Sequence, residues 1–476
     1  MNKKNKKKKK TLSKLISLVL LIILVALFVM IIMFDIVPII YVGIALLIML
    51  LIYMVLLKLN FSRRKPKRSI GLIFSSILIL FFLLVDVYLA QTLDVFNGIL
   101  NTSKKIETYN VLVLKDTKYE ELKDIDGELV GVKEINDNPG LDKAKAKISK
   151  IVDIDYEEYE SITEVEASLS DESVEAIILE DAELDILKEE NPSLYDEFRV
   201  IYELEISIGV KDVAKNVNIL KKPFNIYISG VDTFGKINSA TRSDVNILMT
   251  VNPKTEKIHI TWVPRDYYVK INDSTYKDKL THAGIYGIES SIFAMENILD
   301  TEVNYYAKVN FTSVIKIVDA LDGISVYNDQ SFTSQDGFYY KKCEITMDGK
   351  HALSFVRERK NVSGGDMGRG NNQVKVLKAL IEKMKSPKII TKYMSILNAM
   401  DGSFNTNIDI NDVTKYIERE IKHPKDYDIT SYTLDGKTGY DYTYSYRKNK
   451  LSVIFPDEES VSKAKNEINK VLGVEN

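Results

Sequence analysis

Three near-continuous apolar runs dominate the start of the chain: Leu15–Phe34, Ile36–Leu57 and Ile70–Ala90. At 1.5 Å of rise per helical residue, each is long enough to cross a hydrocarbon core of ~30 Å. None offers a polar face to water, so the pattern predicts three transmembrane helices rather than a buried hairpin. No small-residue cleavage site follows the first run, and a second span begins at once, which argues against a removable signal peptide. After the third run the pattern changes to short mixed segments. Between residues 105 and 215, Tyr109–Leu114 and Val174–Leu179 read as strands, with helices around Leu141–Ile151 and Ala182–Lys188. Lys221–Lys222–Pro223 marks a boundary. Beyond it, strands are predicted at Phe224–Gly230, Val245–Val251 and Ile258–Val263, the last two joined by the turn Asn252–Pro253–Lys254–Thr255. Helices follow at Ile288–Leu299 and Thr312–Leu321, then a strand at Ala352–Arg359 and a helix from about Gly370 to Lys385. The tail adds a helix at Val413–Ile421, a strand at Leu451–Phe455 and a helix from Glu458 to Leu472. Mixed strands and helices predict an α/β sandwich built on a mixed sheet. The expected organisation is residues 1–95 for a basic tail and three spans, 105–215 for a small α/β accessory domain, and 221–476 for the main domain.

Charge gives these segments an orientation. Seven lysines lie within residues 3–10, and Arg63, Arg64, Lys65, Lys67 and Arg68 separate spans two and three. An excess of basic residues marks cytoplasmic segments, so the N-terminus is expected in the cytoplasm, Asp35–Pro38 in an external turn, and everything after about residue 91 outside. The whole chain has a formal charge of −3. Residues 1–68 hold 14 basic residues and one acid, leaving −16 for residues 69–476. The lysine tract suits anionic inner-leaflet lipid, and the acidic external part is a poor partner for nucleic acid. A single cysteine, Cys343, excludes an intramolecular disulfide framework and a thiolate metal cage, and four histidines make a polyhistidine metal site a poor expectation.

Within this acidic part, three clusters can carry chemistry. Gly230–Val231–Asp232 follows a strand, with Thr241–Arg242–Ser243–Asp244 entering the next. Pro264–Arg265–Asp266 ends the hairpin, with Asp278–Lys279–Leu280 soon after. The third is Val356–Arg357–Glu358–Arg359, then Gly364–Gly365–Asp366 and Arg369–Gly370–Asn371–Asn372–Gln373. On a strand, Arg357 and Arg359 would share a face; on a helix, Arg369 and Gln373 would. Arginine suits two-pronged phosphate binding, and the carboxylates of Asp232 and Asp244 are hard ligands for Mg²⁺, which prefers few carboxylates plus phosphate oxygens. The set describes a metal-assisted diphosphate site. His282 has no partner pattern and reads as structural.

The combination and order of these motifs resemble the LytR–CpsA–Psr family of cell-wall glycopolymer ligases. The likeness runs through Ile228–Asp232, Arg242–Leu248, Asn252–Lys254, Pro264–Asp266, Asp278–Ala283, Asn304–Tyr306, Phe355–Arg359 and Gly364–Gln373, about residues 224–385. Three spans and an extra external segment are similar to the streptococcal capsule-associated CpsA branch. The resemblance implies a polyprenyl pyrophosphate held in an α/β core, its tail in an apolar groove. It implies Mg²⁺, or Mn²⁺ in its place, on Asp232 and Asp244. Arg242, Arg265, Arg357, Arg359, Arg369 and Gln373 would hold phosphates or head group; Asp366 would orient the arginines, and Asp266 and Lys279 would shape the rim. Many members carry an arginine two residues after the first aspartate; this chain has Phe234 and then Gly235.

The implied reaction moves an anionic or capsular polymer from an undecaprenyl-pyrophosphate donor to peptidoglycan, with capsule or wall assembly proteins as further partners. Phosphoryl transfer needs little covalent help from protein, which fits the lack of a Ser/His or Cys/His arrangement. Asp266 and Asp244 are both candidates for the general base. Two rival readings are a polyprenyl-pyrophosphate hydrolase and a non-catalytic membrane regulator of wall or capsule assembly.

Overall fold

The computed structural model describes residues 3–34, 39–100, 104–133, 138–209, 213–233, 237, 241–271, 276–385, 389–409, 412–413, 415–416, 419 and 425–474. The expected turn at Asp35–Pro38, the pair Phe234–Gly235 and most of the helix expected at Val413–Ile421 lie outside them. The chain falls into two compact units, Met1–Gly98 with Asp409–Lys422, and Ile99–Ile408 with His423–Asn476.

In the first unit, helices α1 (Lys3–Phe34), α2 (Ile39–Asn60) and α3 (Lys65–Leu100) contain the three apolar runs. Each is long and apolar enough to cross a membrane. Several of their polar side chains bond to one another across the helices. Asn60 Nδ2 donates to Ser17 Oγ at 3.1 Å and to Ser75 Oγ at 3.0 Å, and Tyr53 Oη to the Ser17 carbonyl at 3.2 Å. One asparagine thus ties all three helices.

The second unit opens with the accessory segment. Strands β1 (Lys104–Leu114), β2 (Leu129–Lys133), β3 (Asp155–Tyr159), β4 (Ala176–Glu180) and β5 (Phe198–Gly209) form one sheet in the order β3-β2-β4-β1-β5. Helices α4 (Pro139–Ile148), α5 (Ile162–Ser170), α6 (Asp181–Glu190) and α7 (Pro192–Tyr195) connect them. One apolar cluster joins this segment to the main domain: Ile186, Leu187, Leu194 and Phe198 pack with Ile285, Tyr446 and Leu451.

The main domain runs through β6 (Phe224–Val231), β7 (Val245–Asn252), β8 (Lys257–Val263), β9 (Tyr268–Lys270) and β10 (Lys277–Lys279). Next come α8 (Leu280–Ala283), α9 (Ile288–Leu299), β11 (Tyr305–Asn310) and α10 (Phe311–Ala320). Four short strands follow, β12 (Ile324–Tyr327), β13 (Phe332–Thr333), β14 (Tyr339–Tyr340) and β15 (Glu344–Met347). Helices α11 (Gly349–Arg357), α12 (Asp366–Met384) and α13 (Ile389–Met400) lead to β16 (Phe404–Thr406) and β17 (Asp428–Thr433). The hairpin β18 (Gly436–Asp441) and β19 (Leu451–Pro456) precedes the last helix, α14 (Glu458–Leu472).

The central sheet has the order β16-β11-β6-β7-β8-β17, with β11 parallel to β6, β17 parallel to β8, and β6, β7 and β8 antiparallel. The expected turn forms: Asn252 Oδ1 accepts from Lys254 N at 3.0 Å and Thr255 N at 3.2 Å. Apolar side chains of α9 and α14 pack with Tyr227, Leu248 and Val263 in one core; α10, α11 and α12 contribute to another with Phe332 and Val326. This is the mixed-sheet α/β sandwich.

Two elements differ from the sequence expectation. Ala352–Arg359 is not a strand: α11 covers Gly349–Arg357, capped by Asp348, whose side chain accepts from His351 N. Its apolar residues Ala352, Leu353, Phe355 and Val356 recur at helical spacing, and packing between α10 and α12 decides the ambiguity. Helix α12 starts at Asp366, four residues before Gly370, because Gly364 (φ 82°) and Gly365 (φ 56°) make the tight turn ahead of it.

Two consequences are measurable. A Cβ on Gly370 would lie 2.4 Å from the fully buried Trp262 ring. Gly370→Ala gains about 1 kcal/mol of helix propensity, but overpacking costs about 1–3 kcal/mol. The variant should therefore unfold at a lower temperature than wild type; an increase would show that the ring yields. In the accessory segment, burial raises the Glu166 carboxyl from 4.5 to about 8, with neither oxygen hydrogen-bonded. The unfolded chain releases this proton first, so stability should fall as pH rises from about 4.5 to about 8. Glu166→Gln should flatten that part of a melting-temperature profile; an unaltered slope would mean the carboxyl is solvated.

Candidate functional site

Backbone hydrogen bonds bring the separated motifs together at the ends of β6, β7 and β8. Asp244 N donates to the Gly230 carbonyl at 2.8 Å, Ser243 N to Thr281 at 3.0 Å, and Thr281 N to Arg265 at 2.8 Å. Gly230 is needed where β6 meets β7, since a Cβ there would sit 2.6 Å from Val245 Cβ. Beneath the loop, the buried Ser243 hydroxyl meets Ser229 Oγ at 2.8 Å and Tyr227 Oη at 3.1 Å. Tyr227 also donates to Asn246 Oδ1 at 2.6 Å, and Asn246 Nδ2 returns a bond to the Ser243 carbonyl at 2.9 Å. This network holds the backbone that carries Arg242 and Asp244.

The assembled strand ends face α10, α11 and α12 across a cavity of ≈ 160 Å³. Its polar lining includes Asp232, Asp244, Arg265, Arg357, Arg369 and Gln373; Val231, Val245, Val309, Phe311, Val314 and Leu353 supply the apolar part. Arg265 Nη1 donates to Asp244 Oδ1 at 2.8 Å, with both side chains about one-fifth exposed. Its Nε lies 3.8 Å from Asp266. Thr281 Oγ1 donates to Asp244 at 3.3 Å. Arg357 lies 3.8 Å from Asp232, and its guanidinium sits over the Phe311 ring at 4.3 Å. Arg369 pairs with Asp366 one helical turn away.

Burial sets the electrostatics. It raises the carboxyls of Asp232 and Asp366 above the ordinary aspartate range, against the pull of Arg357 and Arg369 respectively. Burial also lowers Arg369, opposed by Asp366. For Arg265 burial acts downward too, yet Asp244 and Asp266 together raise it. Asp366 Oδ2, Arg265 Nε and Arg369 Nε have no hydrogen-bond partner although buried. Buried unsatisfied polar groups of this kind are expensive unless a further group meets them, and two are guanidinium donors lining the cavity.

Of the remaining expected residues, Gln373 lines the cavity, whereas Arg359, Arg242 and Lys279 do not. Arg359 is exposed, past the extended C-cap Glu358, and does not share a strand face with Arg357. Glu358 is buried, accepting from Gln335 N at 2.6 Å and Asn361 N at 2.9 Å, and so fixes the loop between the two arginines. Gln373 accepts from Trp262 Nε1 at 2.8 Å and donates to the Val356 carbonyl at 3.3 Å, tying α12 to β8 and α11. Neither Arg242 nor Lys279 lines the cavity. Arg242 pairs with Glu189, and Lys279 Nζ donates to Glu190 at 2.8 Å, both acids from the end of α6 in the accessory segment. His282 is buried and structural: its Nδ1 lies 2.7 Å from Asp278 Oδ1, and Asp278 Oδ2 accepts from Ser445 N at 2.7 Å. Sequence reasoning missed Thr281, Phe311, Trp262, Glu189 and Glu190. Only Thr281 lay in a motif, and nothing local marks the others.

Comparison with known proteins gives this arrangement a family. Residues 202–470 match the LytR_cpsA_psr family. The polyisoprenyl-teichoic acid–peptidoglycan teichoic acid transferase TagU of Bacillus subtilis is 36% identical over 220 residues, covering 45% of this chain and 71% of that protein. TagU of Halalkalibacterium halodurans is 37% identical over 202 residues, covering 42% of this chain and 66% of its own. The crystal structure of B. subtilis TagU is 31% identical, covers 53% of this chain and 97% of that one, and superposes with a TM-score of 0.42. A match over more than half its length, carrying the motifs that meet in the cavity, makes this chain a member of the LytR_cpsA_psr family.

Proposed function

We propose that this protein transfers a glycopolymer from an undecaprenyl-pyrophosphate-linked donor to peptidoglycan through a phosphodiester bond, assisted by Mg²⁺. Family membership places it among phosphotransferases, and the relatives named above are transferases that join teichoic acid to peptidoglycan. The observation that carries the finer reading is a single cavity in which Arg265, Arg357 and Arg369 adjoin an apolar lining. A polyprenyl pyrophosphate has the same two halves.

In the reaction, a peptidoglycan hydroxyl attacks the sugar-proximal phosphorus. A new P–O bond forms, the pyrophosphate bridge breaks, and undecaprenyl phosphate leaves with the bridging oxygen, while the hydroxyl proton passes to a carboxylate base, for which Asp244 and Asp266 are the two candidates. Arg265, Arg357 and Arg369 stand where negative charge spreads over the phosphate oxygens, and such preorganised cations act most strongly away from bulk water. Phe311 backs Arg357 and orients its plane. Asp366 holds Arg369, while Asp244, itself bonded by the Thr281 hydroxyl, holds Arg265.

Asp232 and Asp244 line the same cavity and offer hard oxygens; among the described residues no cluster of three or more potential ligands forms a ready-made metal cage. A pair of carboxylates suits Mg²⁺, which takes few of them and completes its shell with phosphate oxygens and water. When bound, the ion would supply further charge neutralisation on the diphosphate. The three apolar helices anchor the chain in the membrane, and the lysine-rich flanks favour a cytoplasmic N-terminus with the catalytic domain outside. A tether beside the bilayer raises the effective concentration of a lipid-linked donor.

Purified full-length protein, given a polyprenyl-pyrophosphate donor and peptidoglycan fragments, should form linked product and release polyprenyl phosphate. Free polymer alone would instead make it a hydrolase. Arg357→Ala should lower kcat/KM by about 1.5–3 kcal/mol, roughly ten- to hundredfold, with partial recovery in Arg357→Lys; no loss would remove Arg357 from the site. Asp244→Asn should raise the Mg²⁺ concentration needed for half-maximal activity, and an unchanged titration would remove Asp244 as a ligand.

A further inference from the structure

Outside the spans, exposed aromatic rings gather where the β18–β19 hairpin meets β9 and β10. Tyr442 is 47% exposed, Phe455 36% and Tyr276 50%. They belong to one continuous surface. The Tyr268 hydroxyl donates to the Tyr442 carbonyl at 2.8 Å, and its ring meets Phe455 edge-on, with 5.5 Å between centroids. Phe455 lies across the bare backbone of Gly439, where a Cβ would come within 2.6 Å of the ring. Tyr444 N donates to the Lys277 carbonyl at 3.0 Å, which brings Tyr276 alongside.

This surface is basic within an acidic domain. Residues 436–456 carry Lys437, Arg447, Lys448 and Lys450 against one acid, Asp441, whereas residues 69–476 together carry −16. Lys450 lies 5.5 Å from the Tyr442 ring centre and 3.9 Å from Asp441. Lys277 lies 5.8 Å from the Tyr268 ring centre, and Arg447 4.3 Å from that of Tyr276. Among the described residues neither of these two cations is matched by a carboxylate. The hairpin exposes no leucine, isoleucine or methionine to enter lipid. A pyranose presents C–H groups on one face and hydroxyls at its rim, which suits an aromatic ring with a polar tip. Carboxylates borne on the same chain would suit the unmatched cations. The surface also adjoins the cavity loop. Ile454 N donates to the carbonyl of Asp266, next to Arg265, at 2.7 Å, and Tyr267 bridges Ile454 where β9 begins. The arginines and apolar lining of the cavity account for a lipid-linked donor and leave the acceptor without a surface of its own.

We propose that the surface formed by Tyr268, Tyr442 and Phe455, with Lys277 and Arg447, binds the peptidoglycan acceptor. The rings hold its glycan strand, and the cations meet carboxylates of its peptides. The identity of the glycan rests on the transfer reaction proposed above; the acceptor surface is separate from the donor cavity.

The test uses full-length protein in detergent micelles and soluble peptidoglycan fragments. Tyr442→Ala with Phe455→Ala should raise the Kd for fragments and the acceptor KM about tenfold, with kcat and the donor KM retained. Tyr440, 68% exposed on the opposite face of the same hairpin, is the control, and Tyr440→Ala should bind as wild type. Wild-type affinity for fragments should fall severalfold toward 1 M salt, where the screening length is about 3 Å. Affinity for glycan strands stripped of peptides should be weaker and insensitive to salt. Unchanged fragment binding in the double variant would overturn the surface. So would a loss confined to anionic lipid vesicles or to a soluble glycerol-phosphate polymer, since the surface would then serve the membrane or the donor. If the double variant does not fold, hydrogen exchange of wild type decides: fragments should slow exchange across residues 436–456, and no protection there would overturn the proposal. Binding as stated without transfer would leave the surface standing and remove the reaction; transfer with an unaltered acceptor KM would do the reverse.

Discussion

A guanidinium withdrawn from water needs a counter-charge, and the catalytic domain meets that need for Arg265 and Arg369 while setting a third, more exposed arginine, Arg357, beside them. Arg265, Arg357 and Arg369 come from three separate stretches of chain and converge on one cavity. Like charges so close would repel, yet each has its own carboxylate: Asp244, Asp232 and Asp366. Partial burial makes these attractions stronger than on an exposed surface. It also leaves the pairs incompletely satisfied, with two guanidinium Nε groups lacking partners. A diphosphate, the ligand proposed for this cavity, would supply several strong acceptors and negative charge to these groups.

The strand ends serve that arrangement. Antiparallel pairing of β6, β7 and β8 would leave their loops independent, but Ser243–Thr281 and Thr281–Arg265 backbone bonds lock them into one frame. Glycine at 230 permits the close approach to Val245, and glycine at 370 lets α12 lie against Trp262. The latter contact sets where Arg369 and Gln373 reach the cavity. Precise placement of charge is therefore a property of packing beneath the site, where mutations would act through position and not through chemistry.

Much of this was legible in the chain itself. The three spans follow from length and apolarity alone, and β6, β7 and β8 from their apolar, β-rich runs and an Asn-Pro turn. The helices Ile288–Leu299 and Glu458–Leu472 match their expected bounds because their periodicity is uninterrupted. Ala352–Arg359 misled because a short apolar run fits either period. The Asp348 cap was the available local signal, and packing between helices the deciding one. Candidate residues were legible as motifs, but their partners were not. Phe311 under Arg357, and Glu189 and Glu190 on Arg242 and Lys279, are pairings made by tertiary structure between residues far apart in sequence.

The central claim is that the arginine-lined cavity is where the diphosphate sits. A crystal structure of the protein with Mg²⁺ and a polyprenyl pyrophosphate tests it most directly. The account predicts diphosphate density against Arg265, Arg357 and Arg369, with Asp232 and Asp244 as the residues that would hold the metal, and the lipid along Val309, Val314 and Leu353. Diphosphate bound away from these arginines would contradict it.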